Sequence, residues 1–167
     1  MDTSYKKITS PVGELTLVAS NTHLLAVLWE QDKEADRVKI ERGLEDNIHP
    51  ILCAAEVQLN EYFSKQRKEF DLPVQFTGSE FQQKVWNMLQ QIPYGKKITY
   101  LQIAQQLGDR NATRAVGLAN GKNPISIIVP CHRVIGASGK LTGFAGGLEN
   151  KAFLLDLEQE HRTPTLF

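Results

Sequence analysis

One of the two cysteines in this sequence stands beside two basic side chains, in the segment Pro130-Cys131-His132-Arg133. The pKa of an isolated cysteine thiol is about 8.5, and neighbouring cationic groups lower it. The thiolate that forms is a strong nucleophile, and an imidazole is a suitable base for its proton. The segment therefore predicts a nucleophilic Cys131 with His132 as its partner.

The local backbone decides how Cys131 and His132 can cooperate. The apolar run 125–129 precedes them and is typical of a buried strand. Because neighbours on an extended chain point to opposite faces, a direct contact requires the strand to end at Pro130. Otherwise a bridging water must carry the proton. A buried core cysteine and a metal-binding cysteine are the other readings of Cys131.

A metal site finds little support in the spacing of possible ligands. Cys53 and Cys131 are far apart, and the four histidines stand at positions 23, 49, 132 and 161. Zinc sites need ligands at close, paired spacing, so we expect no metal and no cofactor. Two cysteines are also too few for a disulfide framework, which favours reduced thiols in the cytoplasm.

Charge is distributed unevenly although the net charge is zero. Residues 1–84 carry 10 Lys and Arg against 14 Asp and Glu, while residues 85–167 carry 9 against 5. Residues 86–148 hold seven basic side chains and a single acidic one, Asp109. An acid-poor segment suits a polyanion, since phosphate contacts provide much of the affinity for nucleic acids. A solvated basic face, balanced by the acidic half, is the alternative.

The elements that must position Cys131 fall into two parts. Strand-like runs separated by turn signals cover residues 5–9, 15–20 and 24–29. Residues 31–47 are dense in charge and ambiguous, and a helix with regularly spaced apolar residues follows Pro50. An extended, proline-containing stretch then predicts a domain boundary near residue 76, separating domain 1–76 from domain 77–167.

The second part predicts short helices. One begins with the capping-box pair Ser79 and Gln82, a second is capped by Thr99, and a third covers residues 112–120. The last two, joined by a turn, match the helix-turn-helix pattern of DNA-binding proteins. Small residues in the third favour close approach to a groove or tight helix packing. No run approaches the roughly 18 apolar residues of a membrane span, so no membrane partner is expected.

The segment 130–135, Pro-Cys-His-Arg-Val-Ile, resembles the active-site signature of the O6-alkylguanine-DNA alkyltransferases, also called methylated-DNA–protein-cysteine methyltransferases. Further similar segments follow in the family's order and near its spacing, namely 81–86, 92–95, 99–100, 114–117, 123–124, 146–148 and 154–158. The resemblance covers about residues 78–160. The first 76 residues are similar only in pattern, to the variable amino-terminal domain of that family.

The resemblance implies a fold of the α/β (α+β) class. A small amino-terminal domain of a β-sheet plus helix would pack on a mostly helical carboxy-terminal domain with a winged helix-turn-helix-like motif. It also implies DNA repair: Cys131 would take the alkyl group from O6-alkylguanine, and from O4-alkylthymine, once per molecule. The partner would be double-stranded DNA, with the nucleotide flipped out through the minor groove. We expect a cytoplasmic monomer, and cooperative assembly on DNA is left open.

The resemblance also implies roles for individual residues. His132 would act through a water as the base, and Glu158 would orient it. Asn123 would tie the recognition helix to the active-site segment, and Tyr100 would rotate the nucleotide and contact the base. Backbone groups of Cys131 would help to hold the guanine.

Substrate and DNA contacts follow in the same way. Val134 and Ala145 would bind the guanine beside Phe144. Many family members have tyrosine in place of Phe144 and some have serine in place of Ala145, which leaves the range of alkyl groups open. Arg114 would fill the gap in the base stack. The other residues expected to contact DNA are Gln82, Tyr100, Ala112, Thr113, Ala115 and Gly117.

Two other functions stay open. A non-catalytic DNA-binding regulator would use the helix-turn-helix alone, and Cys131 would be dispensable. A thiol hydrolase would use Cys131 and His132 with repeated turnover, and the acid-poor segment would have no role in it.

Overall fold

The computed structural model of the chain describes residues 2–33 and 40–159. The charge-dense stretch 31–47, which the sequence leaves ambiguous, lies partly outside these residues. Its described part includes the end of a 3₁₀ helix, Glu30–Lys33, and a two-residue strand.

The amino-terminal part is built on a four-stranded sheet. Its strands are β1 (Ser4–Ser10), β2 (Gly13–Ala19), β3 (Leu24–Trp29) and β4 (Leu44–Glu45), in the order β3-β2-β1-β4. The first three strands pair antiparallel, and β4 runs parallel to β1. Gly13 has a φ of 98°, which lets the chain turn tightly between β1 and β2. The three strands predicted from the sequence are confirmed.

The helix predicted after Pro50 is confirmed as α1, Pro50–Phe63, which packs on β1 and β2. The ring of His49 caps it by accepting a hydrogen bond from the Ile51 amide. Its fully buried residues recur at helical spacing and end with Tyr62, whose hydroxyl reaches the other half of the molecule.

The carboxy-terminal part is mostly helical. It contains α2 (Glu80–Leu89), β5 (Ile98–Thr99), α3 (Tyr100–Gln106), α4 (Thr113–Gly121), β6 (Val134–Ile135) and α5 (Leu148–Leu157). Capping boxes start α2 and α3, as the sequence predicts for α2. Helices α3 and α4 pack against each other, and β5 pairs parallel to β6. The α+β fold class is therefore confirmed, while the domain limits near residue 76 stay a prediction.

The strand predicted for residues 125–129 is wrong. The chain folds back on itself there, with the Val129 amide bonded to the Ile125 carbonyl at 2.9 Å. Ile127 has a φ of 73°, in the left-handed region that costs a β-branched residue about 1–3 kcal/mol. Asn123 holds this turn: its side chain donates to the Val129 carbonyl at 2.8 Å and accepts from the Ile125 amide at 3.0 Å. An apolar buried turn has the composition of a buried strand, so the pattern does not distinguish them.

One hydrophobic core runs through both parts of the described chain. The Val27 amide in β3 bonds to the Pro124 carbonyl at 2.9 Å, which joins the sheet to the segment before Cys131. Within the described residues, no helix has the length and apolar character needed to cross a bilayer.

Candidate active site

Cys131 begins a one-turn 3₁₀ helix, Cys131–Arg133, directly after Pro130. The chain is not extended at this point, and a turn rather than a strand precedes it, so the rule that neighbours on a strand point to opposite faces does not apply to Cys131 and His132. Cys131 and His132 have exposed fractions of only 4% and 0%. Because the thiol is shielded from bulk solvent, a reacting molecule must enter a pocket beside it.

Glu158 follows the last residue of α5, and its carboxylate accepts hydrogen bonds from several directions. Oε2 lies 2.6 Å from His132 Nε2, 2.6 Å from the Tyr62 hydroxyl and 3.0 Å from Arg133 Nη2. Oε1 accepts from Arg133 Nε at 2.8 Å and from the Gly95 amide at 3.1 Å. Burial raises the pKa of this carboxyl, but the hydrogen bonds from His132 and Arg133 and the charge of Arg133 outweigh burial and lower the pKa to about 2. Glu158 is therefore ionised at neutral pH.

The ring of His132 is fully buried, and burial lowers its pKa against the opposing effect of Glu158. The imidazole is therefore neutral at pH 7. Since an ionised carboxylate only accepts hydrogen bonds, the ring proton is on Nε2 and Nδ1 presents a lone pair. A neutral imidazole held by a carboxylate is the arrangement of a general base.

Arg133 has a structural role that its position beside Cys131 does not reveal. Its guanidinium donates to both oxygens of Glu158, and Nη1 donates to the Ile92 carbonyl at 2.6 Å. The guanidinium carbon also lies 5.7 Å from the centroid of the Tyr94 ring. The sequence predicts a cation that activates the thiol, whereas the structure uses this charge to keep Glu158 ionised.

Lys151 in α5 is a candidate site residue that sequence reasoning missed. Its side chain is fully buried, and its Nζ lies 5.9 Å from the ring centroids of both Tyr100 and Phe144. Nζ donates to the Thr142 carbonyl at 3.4 Å. Burial lowers the pKa of Lys151, and the charge of Cys131 raises it. Within the described chain no carboxylate forms an ion pair with it, so this ammonium favours a negatively charged Cys131.

A sequence signal for Lys151 does exist. Lys151 precedes Leu154 by three residues, Leu155 by four and Glu158 by seven. This is helical spacing, so the four residues share one buried face of α5 and its cap. Lysine is rarely fully buried unless it is paired, so a lysine in a buried helical stripe indicates a functional cation.

The residues predicted to hold the alkylated base come from several elements. Tyr100 is the first residue of α3, and its hydroxyl accepts from Thr142 Oγ1 at 2.9 Å. Phe144 and Ala145 are half-buried in the loop before α5, and Val134 is buried in β6. The contact of Lys151 with both Tyr100 and Phe144 brings these elements together, and their substrate roles stay predictions.

Trp29, the last residue of β3, supports the loop that carries Phe144. Its ring meets the Phe144 ring edge-on with centroids 5.5 Å apart, and its Nε1 donates to Ser126 Oγ at 3.0 Å. A Cβ on Gly146 would fall 2.6 Å from the same indole, a distance that real side chains do not reach. An amino-terminal residue thus shapes the candidate base pocket.

Two buried asparagines join α4 to the reactive turn. Asn123, just after α4, holds the turn 125–129, while its role in catalysis stays a prediction. Asn120, in the last turn of α4, donates from Nδ2 to the Cys131 carbonyl at 3.3 Å. Sequence reasoning did not identify Asn120, although an asparagine inside a helix is unfavourable without a partner and is itself a signal.

The residues predicted to contact DNA lie mainly in the first half of α4 or just before it. All seven are exposed or partly exposed, and five of them lie in this segment: Arg114, Ala115, Ala112, Thr113 and Gly117. Gln82 instead completes the capping box of α2, where its side chain accepts from the Ser79 amide at 2.9 Å. DNA contacts of these six residues and of Tyr100 stay predictions.

The second cysteine, Cys53, lies half-buried in α1, and its thiol donates to the Asn47 carbonyl at 3.3 Å. Neither cysteine forms a disulfide. In the part of the chain that the structure describes, no three His, Cys, Asp or Glu side chains group closely enough to hold a metal ion.

Two sequence-family models match the chain. The DNA-binding domain of 6-O-methylguanine DNA methyltransferase matches residues 80–160, and its ribonuclease-like domain matches residues 3–76. A methylated-DNA–protein-cysteine methyltransferase of Mycolicibacterium paratuberculosis is 48% identical over 97% of this chain and 96% of the relative. The constitutive methylated-DNA–protein-cysteine methyltransferase of Bacillus subtilis is 42% identical over 93% of this chain and 94% of the relative.

Solved structures agree with the sequence comparison. A crystal structure of Mycobacterium tuberculosis OGT in complex with DNA is 46% identical to this chain, with a TM-score of 0.84 over 93% of this chain and 92% of that one. A crystal structure of the Mycobacterium tuberculosis O6-methylguanine methyltransferase is 45% identical, with a TM-score of 0.82 over the same shares. The chain therefore belongs to the 6-O-methylguanine DNA methyltransferase family.

Proposed function

We propose that this chain repairs O6-alkylguanine in duplex DNA by moving the alkyl group onto Sγ of Cys131, once per molecule. Family membership supplies the reaction class, that of a methylated-DNA–protein-cysteine methyltransferase. One observation supports Cys131 as the acceptor: the buried thiol is followed by a neutral His132 that an ionised Glu158 holds in place. Cys53 has a backbone carbonyl as its hydrogen-bond partner instead.

The proposed chemistry is an in-line displacement. The thiol proton passes through a water to His132 Nδ1, and the thiolate attacks the alkyl carbon. A bond forms between Sγ and the alkyl carbon, and the bond between that alkyl carbon and O6 breaks. The electron pair of the broken bond stays on the guanine, which takes up a proton. The product on the protein is a thioether. Lys151 would support the thiolate by its charge, and Tyr100, whose ring centroid lies 5.9 Å from Lys151 Nζ, would contact the base.

Access to the lesion calls for a flipped nucleotide, because O6 of a paired guanine is not reachable by a buried thiol. Helix α4 supports this step: its exposed Arg114 lies six residues before Asn120, which contacts the Cys131 backbone. We propose that α4 enters the minor groove, where its small residues permit close approach. The same site would accept O4-alkylthymine, and the protein would act as a monomer in the cytoplasm.

The direct test is to incubate the protein with excess duplex containing O6-methylguanine and weigh the intact protein and its Cys131 peptide. We expect one methylene equivalent per molecule, on Cys131, because a thioether offers no easy route for regeneration. Duplex with unmodified guanine is the control. Sustained turnover with unmodified Cys131 would contradict the proposal. Binding to damaged and undamaged duplex alike, without any change in protein mass, would favour a DNA-binding regulator.

Arg114→Ala is expected to slow repair in duplex while leaving reaction with free O6-benzylguanine unchanged. Flipping costs a few kcal/mol, so loss of a residue that fills the stack should cost about 10- to 100-fold in duplex. Single-turnover rates on both substrates measure this. Lys122→Ala removes an exposed charge just after the same helix and is the matched control, with a smaller, salt-dependent loss. Equal losses on both substrates would show that Arg114 has no part in flipping.

A further inference from the structure

The hydroxyl of Tyr62 joins the amino-terminal half of the chain to the carboxylate of the candidate site. Tyr62 lies near the end of α1 and is fully buried, and its hydroxyl donates to Glu158 Oε2 at 2.6 Å, across 96 positions of the sequence. The rings of Phe63, Phe70 and Tyr94 pack around it, with centroids 5.5, 5.4 and 6.2 Å away. Packing against three rings restricts the Tyr62 ring, so its hydroxyl stays directed at this oxygen.

Tyr62 and His132 donate to the same atom. His132 Nε2 also lies 2.6 Å from Glu158 Oε2, and Arg133 Nη2 lies 3.0 Å from it. Among the described residues, three donors therefore share an oxygen that offers about two lone-pair sites. Each hydrogen bond withdraws part of the negative charge of the oxygen. The bond from Tyr62 thus weakens the attraction that this oxygen exerts on the His132 ring proton.

The Tyr62 hydroxyl keeps its proton throughout the pH range of the reaction. Burial raises the pKa of the Tyr62 phenol far above its usual range, and the charge of Glu158 raises it further. Glu158 itself is ionised, because its pKa is lowered to about 2. Tyr62 is therefore a constant hydrogen-bond donor to a constant charge, and it neither takes nor loses a proton during the reaction.

We propose that Tyr62 is a positioning residue: by sharing Oε2, its hydroxyl limits the support that Glu158 gives to the protonated form of His132. In the proposed function this imidazole holds the proton that leaves Cys131, and the inference rests on that function only for this role. Weaker support for the imidazolium makes the thiol harder to ionise at neutral pH. The amino-terminal half thereby sets the reactivity of Cys131 without contacting the substrate.

Restraint of this kind suits an acceptor that is used once. A thiolate reacts with oxidants and electrophiles in solution as well as with a bound substrate. A Cys131 thiol that ionised readily before a lesion arrived would be consumed without repair. The hydrogen bond from Tyr62 therefore preserves the acceptor at the cost of some speed.

Other ionisable groups surround this position. They are His132 and Arg133 on the reactive turn, Lys151 in α5, Tyr100 in α3, Tyr94 in the loop before β5, and Lys68, whose Nζ lies 5.7 Å from the centroid of the Tyr94 ring. All of them are retained in the variants below, so a difference from wild type reports the Tyr62 side chain.

The test compares wild type with Tyr62→Phe, both in a Cys53→Ser background. Alkylation of Cys131 by iodoacetamide and by free O6-benzylguanine is followed as a function of pH. Removal of the hydroxyl leaves Oε2 to the other two donors, so we expect the variant to react about 3- to 10-fold faster at neutral pH. At high pH, where the thiol ionises without His132, the two rates should converge. A change by the same factor at every pH, or a slower reaction at neutral pH, would overturn the inference.

Two further variants separate the hydrogen bond from packing. Phe70→Leu loosens the contact with the Tyr62 ring but keeps the hydroxyl, and its ratio to the wild-type rate should not vary with pH. A profile like that of Tyr62→Phe would instead assign the effect to packing. Replacement of Tyr62 by 3-fluorotyrosine keeps the fold and makes the phenol a stronger donor, so the reaction at neutral pH should be slower than in wild type. An equal or faster reaction would contradict the inference even if Tyr62→Phe does not fold.

The two reagents distinguish failure of the inference from failure of the proposed function. Iodoacetamide alkylates a thiolate whether or not the protein repairs DNA. If Cys131 takes no alkyl group from DNA while Tyr62→Phe reacts faster with iodoacetamide at neutral pH, the proposed function fails and the inference stands. If Cys131 does take the alkyl group and the two pH profiles coincide, only the inference fails.

Discussion

Cys131→Ser is expected to abolish alkyl transfer while duplex binding stays unchanged. The hydroxyl is close to the thiol in size, so a residue with 4% exposure is replaced without a cavity. A serine hydroxyl ionises far less readily than a thiol, and a neutral imidazole alone activates it poorly toward an alkyl carbon. We expect the single-turnover rate to fall by at least about 10³-fold, as for other lost nucleophiles. Transfer of a labelled methyl group from duplex DNA measures it.

Cys53→Ser is the matched control for this loss. Its thiol lies in α1 and donates to a backbone carbonyl, a hydrogen bond that a serine hydroxyl can also make. The substitution should therefore leave the transfer rate within about twofold of wild type. Methyl transfer that survives in Cys131→Ser and disappears in Cys53→Ser would move the acceptor to the other cysteine.

Glu158→Gln is expected to have the largest effect on stability, because it leaves Arg133 buried without its counter-charge. Removing one partner of a buried ion pair costs about 3–5 kcal/mol of unfolding free energy. The pKa of Glu158 is lowered from 4.5 to about 2, so its stabilisation is fully present above about pH 4.5 and is lost as the pH falls toward 2. Urea unfolding of wild type and Glu158→Gln should therefore show a difference in unfolding free energy that is large at pH 7. The difference should shrink as the pH falls from about 4.5 toward 2.

Two further variants identify the cause of that loss. Tyr62→Phe removes one hydrogen bond from the same carboxylate but no charge, and should cost less, about 1.5–3 kcal/mol. Adding Arg133→Met to Glu158→Gln removes the unpaired cation and should recover part of the stability. If Glu158→Gln were as stable as wild type at pH 7, the carboxylate would have no structural role.

The elements that sequence reasoning predicts correctly depend on local signals. The capping box at Ser79 and Gln82 and the regular apolar spacing after Pro50 act within a few residues, and both helices form as expected. The turn at 125–129 depends instead on Asn123, whose amide competes for the backbone groups that a strand would use. No pattern of apolar residues contains that information.

In the candidate site, too, some features are visible in the local sequence and others arise only in the folded chain. Cys131 and His132 are adjacent, so their chemistry is visible in the sequence, and Glu158 follows from the family resemblance. The contacts of Glu158 with Tyr62 and Gly95 join residues 96 and 63 positions apart, which only the folded chain brings together. The sequence shows that Arg133 is close to Cys131, so its charge was expected to act on the thiol. Its partner in the structure is Glu158, which the packing of α5 brings to it.

If Phe144 lines the base pocket as proposed, Trp29 gives the amino-terminal sheet an influence on which alkyl groups that pocket admits. The indole packs against Phe144 and Gly146 and donates a hydrogen bond to Ser126. A residue of β3 therefore supports the wall of the candidate pocket. A mutation in the core of that sheet can tilt the indole and widen or narrow the pocket without changing any residue that lines it. In the proposed site, both halves of the chain would therefore determine the range of tolerated alkyl groups, and exchanging one half between relatives should alter that range.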